Sequence, residues 1–353
     1  MARTQTDPVR IGLVGLGWFG RLHRQVWDSC PGAEVVAICD VDAAAARGEG
    51  ESAQDAFHTT AGTGGAARSV QDIPAFSDIT QMLQACEIDL VDIATPEALH
   101  AGHAQTALTA GKPVIIEKPF TTSGADAREL ARMAQAADLP VCVGNILRFD
   151  PRYMHVMAQF KALGQKPQHL SLQRHFQRSA LAVYGRVDPF YGACIHDIDL
   201  AIWSQGARPT RALGHISRHQ QSGEVIAATG MLEWASGHTA VIQNAWIMPA
   251  ATPAGFAFES TFLARDQALT VRSQPVVEQI GAARSDWPEF FFWPEIGGDI
   301  DGALRRELTH YLDCARDRKP SDRLPLDEAV WGIETADALV RSAMTGHWQD
   351  VGV

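Results

Sequence analysis

Several residues in this sequence have types and spacings that can do chemistry. Gly15-Leu16-Gly17-Trp18-Phe19-Gly20 matches G-x-G-x-x-G between an apolar run and a helical stretch. In that pattern the first glycine permits a tight turn and the second lets a pyrophosphate approach the backbone. The third lets helix and strand pack closely, and the helix N-terminus turns its free N–H groups toward the phosphates. Asp40 ends the next apolar run, at the spacing where an acid hydrogen-bonds ribose hydroxyls. A carboxylate there repels a 2′-phosphate, and Val41-Asp42 offer no arginine to accept one. The expected cofactor is therefore NAD, with NADP the lesser candidate. Glu117-Lys118-Pro119 closes the run Val114–Ile116, and ligands of open parallel sheets sit at such carboxyl ends. Lys118 is thus placed to reach a substrate beside a nicotinamide, and the Lys118-Pro119 bond is a candidate cis bond. Thr95-Pro96, followed by His100, ends another run on the same edge. His100 and His103 stand three apart with no carboxylate or thiol nearby to complete a ligand set, so no metal site is expected. His196 and Asp199, in Ile195-His196-Asp197-Ile198-Asp199-Leu200, share a helical face, which makes Asp199 a candidate for a substrate hydroxyl. Arg174, His175 and Arg178 lie near the strand end before this motif, and Arg148 follows Asn145. All four are candidate substrate contacts.

The elements that must position these groups change character near Asp150. Before it, the apolar runs Val9–Val14, Glu34–Cys39, Asp89–Ala94, Val114–Ile116 and Val141–Val143 alternate with helical patterns at Arg21–Ser29, after Pro96 and at Ser123–Ala137. Strands alternating with helices predict βαβ units and a parallel sheet. Gly48–Asp72, rich in Gly, Ala, Ser and Thr, fits this poorly and reads as an inserted or mobile surface loop. After Asp150, His169–Gln177, Arg211–His219 and Glu224–Trp246 alternate, with a hairpin turn at Ser236-Gly237. Phe256–Arg272 reads as a second hairpin turning near Arg265–Gln267. Long alternating strands without intervening helices predict an antiparallel sheet covered on one face. Two helical patterns, Gly302–Asp317 and Leu326–Thr345, close the chain. The aromatic stretch Trp287, Phe290–Phe292 and Trp293 is either a pocket wall or a core patch.

Composition excludes some partners. The chain has 353 residues, enough for about two domains of ordinary size. Its net charge of −11 argues against nucleic acid or an anionic membrane surface as partner. The six cysteines form no CxxC pair, which suits a reducing compartment. Met1–Arg10 contains no apolar signal core and no long apolar run follows, so a cytoplasmic protein is expected.

Read in order, these stretches resemble the glucose-fructose oxidoreductase / inositol dehydrogenase / MocA family. The resemblance is carried by Gly15–Gly20, Cys39-Asp40, Asp89–Pro96 with His100, and Ala110–Pro113 through Glu117-Lys118-Pro119. It continues in Gly144-Asn145 with Arg148-Phe149, in Ile195–Asp199 and in Glu334–Ala343. It implies an α/β fold: an N-terminal Rossmann parallel sheet (residues 1–147) plus a C-terminal α+β domain with a large, mainly antiparallel sheet (residues 148–353). The first domain would hold NAD through Gly15, Gly17, Trp18, Phe19, Gly20, Asp40, Thr95, Pro96, His100, Glu117, Lys118 and Asn145. The second would bind substrate and form a homo-oligomer, dimer or tetramer, through the open face of its sheet. The implied reaction is oxidation of a secondary hydroxyl on a sugar, inositol or related polyhydroxylated compound. His196 would serve as general acid/base, and Lys118 would stabilise charge on the reacting oxygen. One position departs from the family pattern: Gly192 stands where an aspartate usually precedes the histidine by four residues. Two alternatives stay open on the same fold, an NAD-dependent glycosidase and a non-catalytic dinucleotide-sensing regulator.

Overall fold

The computed structural model describes residues 7–42, 73–253, 255–280 and 285–352. Gly48–Asp72 lies outside the described residues. The apolar runs of the first half form a six-stranded sheet of β1 (Val9–Val14), β2 (Ala33–Cys39), β3 (Ala75–Phe76), β4 (Leu90–Ile93), β5 (Val114–Glu117) and β6 (Val141–Gly144). The order is β3-β2-β1-β4-β5-β6 and every pairing is parallel. All residues of β4, β5 and β6 are buried, because helices cover both faces of such a sheet; this is why these strands read as continuous apolar runs. The helices are α1 (Trp18–Ser29), α2 (Ile79–Ala85), α3 (His100–Thr109) and α4 (Gly124–Ala137). Asp78 caps α2 by accepting from the Gln81 N–H at 3.0 Å. The helix predicted from Arg21 already begins at Trp18. Gly20 sits inside it because a β-carbon there would lie 2.0 Å from the Gly15 carbonyl oxygen, so only a bare backbone lets the helix close onto the turn.

Strand register decides what the sheet can do. Val14 pairs with Cys39 on one side and with Ile93 on the other. Ile93 pairs with Ile116, and Glu117 with Gly144. The residues that follow these strand ends, Gly15, Asp40, Thr95, Lys118 and Asn145, therefore lie along one edge.

After α5 (Pro151–Ala162) the chain forms a seven-stranded sheet. Its main strands are β7 (His169–Gln177), β8 (Arg211–Arg218), β9 (Val225–Glu233), β10 (Thr239–Met248), β11 (Phe256–Leu263) and β12 (Ala268–Arg272). The order is β12-β11-β7-β10-β9-β8, completed by the short strand Gln349–Asp350. Among the described strands of this sheet only the β7–β10 pairing is parallel. Both predicted hairpins form, β9–β10 and β11–β12. Buried and half-buried residues alternate along β7 and β10, as expected where one face carries helices. Those helices include α6 (Cys194–Gln205) and α8 (Leu326–Thr345), which pack on each other and reach β10 and β8.

The last helices also bind the two sheets together. α7 (Gly302–Asp317) packs on α1 and on the turn Ile146–Phe149. The Tyr311 hydroxyl donates to the Val143 carbonyl at 2.6 Å, and Arg306 Nε donates to the Phe149 carbonyl at 3.0 Å. The Gly124 N–H, at the start of α4, donates to Asp337 of α8 at 2.9 Å.

Candidate active site

The turn between β1 and α1 is shaped for a pyrophosphate. Gly15 has φ of 94°, and a β-carbon there would meet the Ala94 carbonyl oxygen at 2.6 Å. Gly17 is the opposite case: a β-carbon there would meet nothing within 4 Å, so the backbone is bare and open. No side chain caps the first turn of α1, which leaves its N–H groups to an anion. Asp40 braces the turn, accepting from the Leu16 N–H at 2.6 Å and from the Asp42 N–H at 2.9 Å. The side chains of Trp18 and Phe19 pack edge-on against Trp293, at 5.7 and 5.6 Å between ring centres. What these two residues offer a dinucleotide is backbone. The residues present thus fit NAD. Asp40→Ala is expected to weaken NAD binding about tenfold or more, since hydrogen bonds to a charged group contribute about 1.5–3 kcal/mol. It should also relax discrimination against NADP, and titration with both cofactors checks this; a wild type that already prefers NADP contradicts it.

Lys118 stands at the end of β5, and its bond to Pro119 is cis. Its ammonium lies 5.0 Å from the centre of the Tyr184 ring. Burial pushes the Lys118 pKa down; Glu117 and Glu97 oppose this, while Arg186 and Arg174 add to it. His196, in the first turn of α6, is 9% exposed. Burial, then the positive charges of Lys118 and Arg174, hold its pKa well below the ordinary histidine value. Glu117 and Glu97 thus favour a charged Lys118, while burial and nearby cations favour a neutral His196, beyond the carboxyl edge of the first sheet. This is the division of labour needed to stabilise an oxyanion and accept a proton.

The other candidates fare differently. Arg148 and Asp199 are 1% and 2% exposed and face each other. Arg148 Nη2 and Nε donate to Asp199 at 2.8–3.1 Å, and Nη1 lies 2.7 Å from Glu328 and donates to the Arg323 carbonyl. Their polar atoms are engaged within the protein. Arg148→Met strands Asp199 as an uncompensated buried charge. It is expected to cost about 3–5 kcal/mol of stability, read from the urea midpoint; an unchanged midpoint contradicts the assignment. Arg174 is buried on β7 and pairs with Asp197 at 3.2 Å, so it reaches the site as a nearby charge rather than a free donor. His175 is its neighbour in the strand and points to the other face of the sheet. Arg178 is exposed and pairs with Glu224. The His100 Nδ1 lies 2.7 Å from the Pro119 carbonyl and its Nε2 2.9 Å from that of Thr95. It ties two strand-end loops together and presents neither nitrogen to a cofactor. Asn145 is buried at the end of β6.

Sequence reasoning missed Asp197, Asn244 and Tyr184. Asp197 accepts from Arg174 and, at 3.0 Å, from Asn244 of β10, pinning the helix start that carries His196. Tyr184 explains how the site accommodates Gly192. A β-carbon at 192 would lie 3.3 Å from the Tyr184 carbonyl oxygen and 3.6 Å from its ring, so the tyrosine occupies the ground beside that position. Glu97, paired with Arg186 at 3.0 Å, ties the Thr95–His100 loop to the segment that carries Tyr184. No spacing rule points to any of these; the adjacency of Asp197 to His196 was the one available signal.

Residues 9–145 match the model of an oxidoreductase family with an NAD-binding Rossmann fold, GFO_IDH_MocA. This segment is similar to the NAD-binding domain of that family. It is an NAD-binding Rossmann fold, in line with the expected cofactor. Curated relatives include inositol 2-dehydrogenase 1 of Saccharopolyspora erythraea, 28% identical over 240 residues, covering 67% of this chain and 66% of the relative. Another is D-apiose dehydrogenase of Paraburkholderia graminis, 35% identical over 139 residues, covering 39% of this chain and 32% of the relative. The matches thus span about a third to two thirds of these relatives' own lengths. The fold likeness extends further. Scyllo-inositol dehydrogenase of Lactobacillus casei, solved with NAD(H) and scyllo-inositol, superposes with a TM-score of 0.78 at 19% identity, over 98% of this chain and all of that one. Both sheets of the present chain therefore follow the fold of that structure. Among the described residues no helix is long and apolar enough to cross a membrane.

Proposed function

We propose that this protein is an NAD-dependent dehydrogenase that oxidises a secondary hydroxyl of a sugar, inositol or related polyhydroxylated compound, with Lys118 and His196 at the reacting oxygen. The observation that carries the reading is the different charged surroundings of these two side chains. Lys118 keeps acidic neighbours, whereas His196 faces only burial and positive charge. When bound, the nicotinamide supplies the hydride acceptor. Lys118 donates to the hydroxyl oxygen and offsets the negative charge that builds there. His196 is neutral before the reaction and accepts the hydroxyl proton. Two cations beside it disfavour the imidazolium, and negative charge developing on the substrate oxygen relieves that penalty as the proton moves. The names of the relatives, an inositol dehydrogenase and an apiose dehydrogenase, support a polyhydroxylated substrate. The same reading includes self-association through the face of the second sheet away from α6 and α8, where Thr229 and Val241 are half-buried and Gln243 is exposed.

A panel of sugars, sugar acids, inositols and anhydrosugars with NAD and NADP tests this. Steady accumulation of NADH with at least one member is expected. Cleavage of a glycoside without net NADH would mean a glycosidase, and tight NAD binding without turnover across the panel would mean a regulator; either overturns the reading.

A further inference from the structure

Below the strand ends, between α1, β4, β5 and α7, lies a group of buried ionisable side chains that the reaction above does not use. His23, Asp92, Glu117 and Glu307 are 0%, 0%, 7% and 1% exposed. His23 Nδ1 lies 3.0 and 3.1 Å from the two Asp92 oxygens, and the Trp27 indole N–H donates to the same carboxylate at 2.7 Å. On the other side of the ring, His23 Nε2 lies 3.3 Å from Glu117 Oε1, within ion-pair distance but without a hydrogen bond. The second Glu117 oxygen accepts from the Lys118 backbone N–H at 3.1 Å. The fold makes room for this arrangement: a β-carbon at Gly144, paired opposite in β6, would lie 2.3 Å from Glu117 Oε1. The carboxylate can sit there only because that residue has no side chain.

We propose that Asp92, His23 and Glu117 form a buried positioning chain that fixes the placement and positive charge of Lys118. The proposal rests on the reading of Lys118 given above. Both ring nitrogens of His23 face carboxylates, an arrangement that favours the imidazolium. Burial alone would favour the neutral ring, but Asp92 and then Glu117 outweigh it and raise the pKa to about 10. The remaining neighbours are Phe19, whose ring packs 5.1 Å from that of His23, and Glu307 on α7. Burial, then the Glu117 charge, pushes the Glu307 pKa up, and neither of its oxygens has a hydrogen-bond partner. Lys118 itself faces Glu117, Glu97, Arg186, Arg174, His196 and the Tyr184 ring. Glu117 is the leading opponent of its desolvation. With a neutral side chain at position 23, two buried acids lose their common cation. A proton drawn onto Glu117 then strips Lys118 of its main counter-charge.

The test needs neither substrate nor cofactor. Competitive amine labelling of Lys118 across pH, read by peptide mass spectrometry, gives its titration midpoint. Glu117→Gln and His23→Gln are each expected to lower that midpoint by about one pH unit or more, the size of effect of a neighbouring opposite charge. The double variant should add little, because both act through one chain. A folded His23→Gln protein whose midpoint is unchanged or raised overturns the proposal. Nitrogen-15 spectra of wild-type histidines give a second reading that survives a variant's failure to fold. His23 is expected to keep both ring protons at about pH 8, above the ordinary histidine range; a neutral His23 there overturns the proposal equally. Absence of turnover on every polyol would count against the proposed function and leave this chain standing.

Discussion

Lys118→Ala is expected to lower kcat by about 100- to 1,000-fold, the loss that follows removal of one preorganised donor to a developing oxyanion. The side chain is partly buried, and Glu117, Glu97 and the Tyr184 ring surround its ammonium, so water replaces it poorly. NADH binding should be nearly intact, because the turn at Gly15–Gly20 and the Asp40 carboxylate lie on other strands. A second effect follows from the same geometry. The Lys118 charge is one of the forces that depress the His196 pKa, so residual activity in this variant should show its acid limb at higher pH than wild type. Steady-state rates across pH, with an NADH titration, measure all three; unchanged turnover would remove Lys118 from the reaction.

His196→Ala is the other large effect, about 100- to 10,000-fold in kcat/KM, the usual range for a general base. The pH profile separates a base from a structural residue. The reaction needs neutral His196, so activity is lost as pH falls through its pKa. That value lies well below the ordinary one, so the wild-type acid limb should lie below about pH 6.5. The reaction also needs charged Lys118, so activity is lost as pH rises through a lysine pKa that burial has lowered. A wild-type acid limb at or above the ordinary histidine value would contradict this reading of His196.

The first sheet was legible because buried parallel strands must be apolar on both faces. The runs ending at Val14, Cys39, Ala94 and Ile116 showed as blocks, and the register of their strands then brought Asp40 and Lys118 to one edge. The two-residue β3 carries no such block. The hairpins of the second sheet were legible from alternation, but the parallel β7–β10 pairing was not, since period alone does not name a strand's neighbour. Charge pairing was hidden for a related reason. Asp199 shares a helical face with His196, yet α6 is buried nearly all round, so a shared face does not mean a shared ligand. Its partner Arg148 comes from the end of the first sheet. His175 could have been set aside from sequence, since adjacent residues in a strand face opposite ways. His23 follows the glycine motif with no signal of its own; only the fold sets it between Asp92 and Glu117.

The central claim is hydride transfer from a substrate carbon to NAD beside Lys118 and His196. Its most direct test uses the polyol that wild type turns over, deuterated at every carbon-bound hydrogen, with mass analysis of the NADH formed. The account requires a single deuterium in each NADH, and loss of that product in Lys118→Ala. NADH free of deuterium, or labelled product formed undiminished by the variant, would contradict it.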